Sequence, residues 1–105
     1  MASPAAAPTV MDHPDRKRFE TVVDGQTAIA EYNLVEGAII FTHTEVPSAL
    51  EGRGIGKALI LAGLASARSR GLKVIPICPF FAAYMKSHPE THDILHPDYR
   101  AVLGV

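Results

Sequence analysis

The stretch EGRGIG at 51–56 constrains this chain more than any other, because its glycines at 52, 54 and 56 run directly into a helical pattern. From Ile55 onward, apolar residues recur at three- and four-residue steps as far as Ala67. Glycines leave the main chain open to a ligand, and a helix N-terminus presents free N–H groups and partial positive charge. One interpretation is a phosphate-binding loop. The other is a turn that only packs the helix closely on a sheet.

Two common phosphate-binding motifs do not fit this stretch. A Walker A loop requires GxxxxGK[ST], but Glu51 stands where its first glycine belongs and Ala58 replaces the hydroxyl residue. A dinucleotide-binding fingerprint requires GxGxxG after the first strand of a parallel unit. Here the spacing is GxGxG, and the preceding pattern predicts antiparallel strands.

The rest of the chain predicts an α/β fold. Segments rich in β-branched and aromatic residues, separated by Asp24-Gly25 and Glu36-Gly37, predict a meander of three antiparallel strands. A helix, a short apolar strand parallel to the third strand, and a second helix beginning at Pro79 follow. The three meander strands, the helix, the strand and the second helix are predicted at 18–23, 27–35, 38–46, 55–70, 72–78 and 79–88. Residues 90–105 favour nothing beyond a short helix or turn.

Composition narrows the class of protein. Residues 1–14 are rich in Ala and Pro and predict a flexible tail, and 15–105 predict a single domain. The net charge of −1 favours neither nucleic acid nor an anionic membrane as the main partner. No apolar run approaches a membrane span, and the opening residues lack a secretory signal pattern. The one cysteine, Cys78, forms no intramolecular disulfide and favours a cytoplasmic location.

The loop and its flanks resemble a known family. Residues 51–56 resemble the Q/R-x-x-G-x-G/A motif of the GCN5-related N-acetyltransferases (GNATs). HTEVPSALEGRGIGKALI at 43–60 and GLKVIPICPFFAAYMKSHPE at 71–90 are similar to the small YjdJ-type branch of that superfamily, and the resemblance covers 18–98. It implies a compact GNAT-like fold that transfers an acetyl group from acetyl-CoA, its co-substrate, to an amine by direct attack, with no metal. The acceptor would be a small-molecule or protein amine. An acyl-CoA-binding module without catalysis is the alternative, and a nucleotide-binding protein is a weaker one.

The chain departs from that family in two ways. Glu51 is assigned to the CoA loop by its position, but it stands where Gln or Arg is usual. The main-chain donors of the loop and a nearby cation would therefore carry the binding of the phosphates. The residues so assigned are Gly52, Gly54, Ile55 and Gly56 for the main chain and Arg53 or Lys57 for the charge. Between the first and second predicted strands, where most relatives insert two helices, this chain has only Asp24-Gly25. One sheet face is therefore expected to be open, and Ile29, Ile39 and Phe41 are candidate residues on it. The chain is expected to be a monomer, or a homodimer in which a second subunit covers this face.

The resemblance also implies catalytic roles. The segment Thr44, Glu45 and Val46 would pair with the pantetheine arm, and the Val46 N–H would donate to the thioester oxygen. His43 and Glu45 share one face of the strand, as a proton-removing pair or as surface residues.

Two further side chains have open roles. Tyr84 matches the tyrosine that many members use as general acid, or it anchors the helix in the core. Cys78 is a nucleophile, a proton donor or an inert core residue.

Three histidines follow one another at four-residue steps, at 88, 92 and 96. On one helix they would align as metal ligands. Pro89 and Pro97 interrupt such a helix, so we predict surface or capping roles, or a place on the rim of the acceptor site, and no metal site.

Overall fold

A computed structural model describes residues 8–105 of the chain. In this part, five strands form one sheet in the order β1-β2-β3-β4-β5, with antiparallel pairing up to β4 and a parallel β4–β5 pair. The strands are β1 (Met11–His13), β2 (Arg18–Val23), β3 (Gln26–Val35), β4 (Ala38–Glu45) and β5 (Lys73–Pro76). The helices are α1 (Ile55–Ser69), α2 (Pro79–Ser87) and α3 (Pro97–Leu103), with one-turn 3₁₀ helices at Ser48–Leu50 and Pro89–Thr91. The predicted α/β fold is confirmed.

The first strand lies within the segment that the sequence predicted to be a flexible tail. Residues 1–7 lie outside the described part, but Met11–His13 pair with β2, so a flexible tail extending to residue 14 is wrong. The Tyr32 hydroxyl donates to Asp12 at 2.7 Å, and burial together with this carboxylate raises the pKa of Tyr32 to about 12. Because β1 precedes the meander, Asp24-Gly25 joins the second and third strands, not the first and second. The connection from β1 to β2 is the turn at 14–17.

Both helices that follow β4 and β5 pack on one face of the sheet. Phe41 of β4 stacks on Phe81 of α2 with ring centroids 4.0 Å apart, and both side chains are fully buried. Ile39 is also fully buried, so the predicted positions of Ile39 and Phe41 on the open face are wrong. On the other face Ile29 is half-buried and Val22 is 64% exposed.

Close packing of α1 on the sheet depends on Gly63. A Cβ atom at this position would lie 2.8 Å from the Phe41 ring and 3.3 Å from the Phe81 ring. Real Cβ atoms essentially never come within 3.0 Å of such an atom, and the buried Phe41 ring is held in a close-packed interior.

We therefore expect Gly63→Ala to lower the free energy of unfolding by about 1–3 kcal/mol, even though alanine favours helix. Urea denaturation measures the change. Gly56→Ala is the matched control, since it makes the same exchange in the same helix against Phe80, a ring that is 46% exposed and free to shift. An equal loss for both variants would contradict this packing argument.

The segment after α2 is anchored to the outer edge of β5. Val74 donates to Ile94 and accepts from His96, at 2.7 and 2.9 Å. The Arg68 guanidinium, near the end of α1, binds both carboxylate oxygens of Asp93 and holds the pKa of that carboxyl below its usual range. The outer edge of β5 is thus partly covered at Val74, near the start of the strand. No helix in residues 8–105 is long and apolar enough to cross a membrane.

Candidate functional site

The site begins where β4 and β5 part. Their last paired residues are Phe41 and Pro76. Just beyond, the Cys78 N–H donates to the Phe41 carbonyl at 2.8 Å, and the chain turns into α2 at Pro79. β4 continues to Glu45 along β3 alone, which opens a wedge between the two strands.

A β-bulge in β4 decides which side chains enter the wedge. Glu31 is opposite His43 and Tyr32 is opposite Phe41, so Thr42 has no partner on β3. The extra residue reverses the alternation of side chains beyond it. Thr44, opposite the buried Ala30, therefore faces the helices, while His43 and Glu45 face the other side of the sheet. Without the bulge, Thr44 would face away from the helices, and His43 and Glu45 would face toward them.

The glycine loop presents a run of unpaired amides at the start of α1. Gly52 and Gly54 adopt left-handed φ angles of +79° and +77°, and Gly54 caps the helix. Within the described residues, no protein acceptor takes the N–H groups of residues 52–57. Four such groups are normal at a helix start. The loop adds the N–H groups of residues 52 and 53 to these four. Consecutive free amides of this kind form concavities that bind anions.

A cleft of about 650 Å³ lies between this loop and the end of β4. Eight of the nine residues that the sequence assigned to CoA line it, together with Glu45, Leu50 and Phe80. Those eight are Thr44, Val46, Glu51, Gly52, Gly54, Ile55, Gly56 and Lys57. The charges in its lining are those of Glu45, Glu51 and Lys57, so any anion held here depends mainly on main-chain donors. The ninth residue, Arg53, does not line the cleft.

Arg53 turns instead toward the β2–β3 hairpin. Its Nη1 binds the Asp24 carboxylate at 2.6 Å, and both side chains are largely exposed. Asp24 itself has a left-handed φ of +52° in the hairpin turn. The sequence marked Asp24 as a turn residue but gave no indication of this pairing.

These positions predict different effects for two substitutions with equal change of charge. Lys57→Gln removes the cation that lines the cleft, and we expect about tenfold weaker CoA binding from the loss of a charge-assisted contact. Arg53→Gln removes a cation already paired outside the cleft, and we expect less than about a threefold change. Titration calorimetry measures both. A larger loss for Arg53→Gln would contradict the assignment.

His43 and Glu45 contact each other on the open face. His43 Nε2 lies 3.0 Å from Glu45 Oε2, and the side chains are 53% and 69% exposed. Their predicted sharing of one face is confirmed. Glu45 also lines the cleft, so this pair joins the cleft to the open face of the sheet.

Residues 18–94 match the family model described as GCN5-related N-acetyl-transferase. The chain belongs to the GNAT family. It is also similar to Protein NATD1 of Gallus gallus, with 37% identity over 87 residues that cover 78% of each chain. Protein NATD1 of Homo sapiens is 36% identical over 86 residues, covering 78% of this chain and 76% of the relative. For Protein NATD1 of Bos taurus the identity is 34% over 96 residues, covering 84% and 85%. Family membership supports an acetyltransferase-like function, while placement in the YjdJ-type branch stays a prediction.

Like Arg53, the candidate catalytic residues Cys78 and Tyr84 lie outside the first cleft. Cys78 is buried behind Thr44, with Sγ 3.4 Å from Thr44 Oγ1. Tyr84 lines a second cleft of about 380 Å³, where its ring stacks on His88 with centroids 3.7 Å apart. The two clefts share Lys57 and Phe80. Phe80 lines both clefts, and the sequence had not assigned it to the site.

The three histidines of this GNAT domain have separate hydrogen-bond partners. The rings of His88 and His92 lie within hydrogen-bond distance of the Tyr84 and Met85 carbonyls near the end of α2. His96 accepts from the Asp98 N–H and caps α3. In residues 8–105, no three His, Cys, Asp or Glu side chains converge as a metal site would require.

Proposed function

We propose that this chain is an acetyl-CoA-dependent N-acetyltransferase that transfers the acetyl group to an amine by direct attack. The observation that carries the proposal is the run of unpaired amides at 52–57, because Gly52 and residues 54–57 of that run line a cleft that Glu45 also lines. Main-chain donors at a helix N-terminus suit the diphosphate of CoA. Lys57 adds a positive charge to the lining of the cleft, while the Glu51 carboxylate would repel an anion bound there.

The residues at the end of β4 would carry the chemistry. An attacking amine must be neutral, and Glu45, in contact with His43, would take its proton. In the described part of the chain, the Val46 N–H has no protein acceptor. It would therefore be available to donate to the thioester oxygen as negative charge develops there.

Tyr84 is the proposed proton donor to the departing thiolate. We expect Tyr84→Phe to lower turnover about 10- to 100-fold with little change in CoA affinity, because only the hydroxyl is lost. Steady-state rates and calorimetry separate the two quantities. Tyr99→Phe is the matched control, since Tyr99 is a partly buried tyrosine that does not line either cleft. Unfolding of the Tyr84 variant would instead favour a core role for this residue.

A binding module without catalysis is the second candidate, because Glu51 and Glu45 place negative charge in the cleft. Release of CoA from acetyl-CoA distinguishes the two, measured with spermidine, a lysine-containing peptide and a peptide with a free α-amino group. Amine-dependent release supports the enzyme. CoA binding with no release above background in all three supports the module and overturns the enzyme.

The proposal extends to partners and location. The acceptor is an amine on a small molecule or a protein, and neither nucleic acid nor membrane is expected to bind. The domain is expected to act as a monomer or homodimer in the cytoplasm, where a free cysteine such as Cys78 stays reduced.

A further inference from the structure

We propose that Thr44 and Cys78 form a wall at the point where β4 and β5 part, and that this wall restricts the acyl donor to very short chains, acetyl above all. The inference rests on the proposed function, which puts the thioester beside Thr44 and Val46. In this role the Cys78 sulfur acts through its volume and not as a nucleophile.

Cys78 is held in place both by its backbone and by its side chain. Cys78 is 3% exposed, and its N–H is tied to the Phe41 carbonyl at 2.8 Å. Its Sγ lies 3.4 Å from Thr44 Oγ1, which closes the gap between the strands. Thr44 lines the first cleft whereas Cys78 does not, so the cleft ends at this contact.

The space behind the wall is filled. Cys78 belongs to the same buried cluster as Phe41 and Phe81, whose stacked rings have centroids 4.0 Å apart. The second cleft does not reach Cys78 either. An acyl chain directed between the strands would therefore have to displace fully buried, close-packed atoms.

The length of the acyl chain then determines how tightly an acyl-CoA binds. An acetyl group ends in one methyl, whereas a butyryl group carries two further methylenes toward Cys78. A single methylene typically changes discrimination by about 10- to 200-fold in a closed pocket. Because interiors are packed as densely as crystals, the wall would not yield without loss of contacts.

The first test is calorimetric titration with CoA, acetyl-CoA and butyryl-CoA. For the unchanged chain we expect acetyl-CoA to bind within about threefold of CoA, and butyryl-CoA to bind at least about tenfold more weakly. Cys78→Ala should bring butyryl-CoA to within about threefold of acetyl-CoA. Cys78→Ser should keep the discrimination, because it nearly preserves the volume. Thr27→Ala is the control, since Thr27 is an exposed threonine on the neighbouring strand β3, away from the bulge in β4.

Two results of this titration would overturn the proposal. One is equal binding of butyryl-CoA and acetyl-CoA to the unchanged chain. The other is discrimination that Cys78→Ala leaves as it was.

The second test needs no CoA. A thiol reagent such as 5,5′-dithiobis(2-nitrobenzoate) should modify Cys78 at least about tenfold more slowly in the folded chain than in urea. Thr44→Ala should speed the folded reaction, and Thr27→Ala should not. If the unchanged chain binds no CoA species, the proposed function fails, while the thiol rates still show whether the wall exists. If the Cys78 thiol reacted as fast in the folded chain as in the unfolded one, the wall would not exist.

Discussion

Gly54→Asp is expected to weaken CoA binding about 100-fold or more. The glycine has a φ of +77°, and a Cβ atom added to it would have no neighbour within 4 Å, so a new side chain would project into open space beside the loop. A carboxylate there would compete for the unpaired amides and repel the diphosphate. The loss of one or two charge-assisted hydrogen bonds, each worth about 1.5–3 kcal/mol, corresponds to this change in affinity. Calorimetry with CoA measures it.

Two variants separate charge from backbone strain in that result. Gly54→Asn has nearly the same shape and the same left-handed backbone without the charge, and should lose much less affinity. Gly37→Asp places the same residue at a φ of +75° in the β3–β4 turn, again with nothing within 4 Å, and should leave CoA binding unchanged. Unchanged affinity in Gly54→Asp would mean that the loop does not hold the phosphates.

Glu45→Gln is expected to lower turnover about 100-fold or more while CoA still binds. Proton removal by a positioned base typically contributes that much to the rate. Glu45 both lines the cleft and contacts His43 at 3.0 Å, so it is the carboxylate best placed to meet an amine arriving from the open face. Rates of CoA release with a productive amine, set against calorimetric affinities, measure the effect.

The neighbours of Glu45 provide the controls. Glu31→Gln removes a carboxylate from the same face, opposite His43 but outside the cleft, and should change turnover by less than about threefold. His43→Gln should produce an intermediate loss, because it disturbs the orientation of Glu45 and leaves the base in place. A loss in Glu31→Gln as large as that in Glu45→Gln would argue against Glu45 as the base.

Local chemistry made most of the fold predictable. Asp-Gly and Glu-Gly turns delimit the hairpins, and proline begins α2 where the helical pattern starts. The glycine loop was predictable for the same reason, since Gly52 and Gly54 have left-handed φ angles that other residues rarely adopt. Sequence therefore located the loop and the helix behind it, and eight residues of the cleft.

Features that depend on non-local contacts were not predictable. Met11–His13 form a strand because β2 offers them an edge, which an Ala- and Pro-rich composition does not reveal. The bulge at Thr42 depends on the register of β3, and it alone decides that Thr44 faces Cys78 while Glu45 faces outward. Likewise, the pairing of Arg53 with Asp24 joins residues far apart in the chain.

Whether the loop at 52–57 binds CoA can be measured by titration of the purified chain with acetyl-CoA, CoA and ATP in parallel. Micromolar binding of both CoA species, with no response to ATP, is the result we predict. Binding of ATP in preference to CoA would indicate a nucleotide-binding protein. Absence of CoA binding would mean that the loop does not hold CoA, and that the three glycines form only a turn that packs α1 on the sheet.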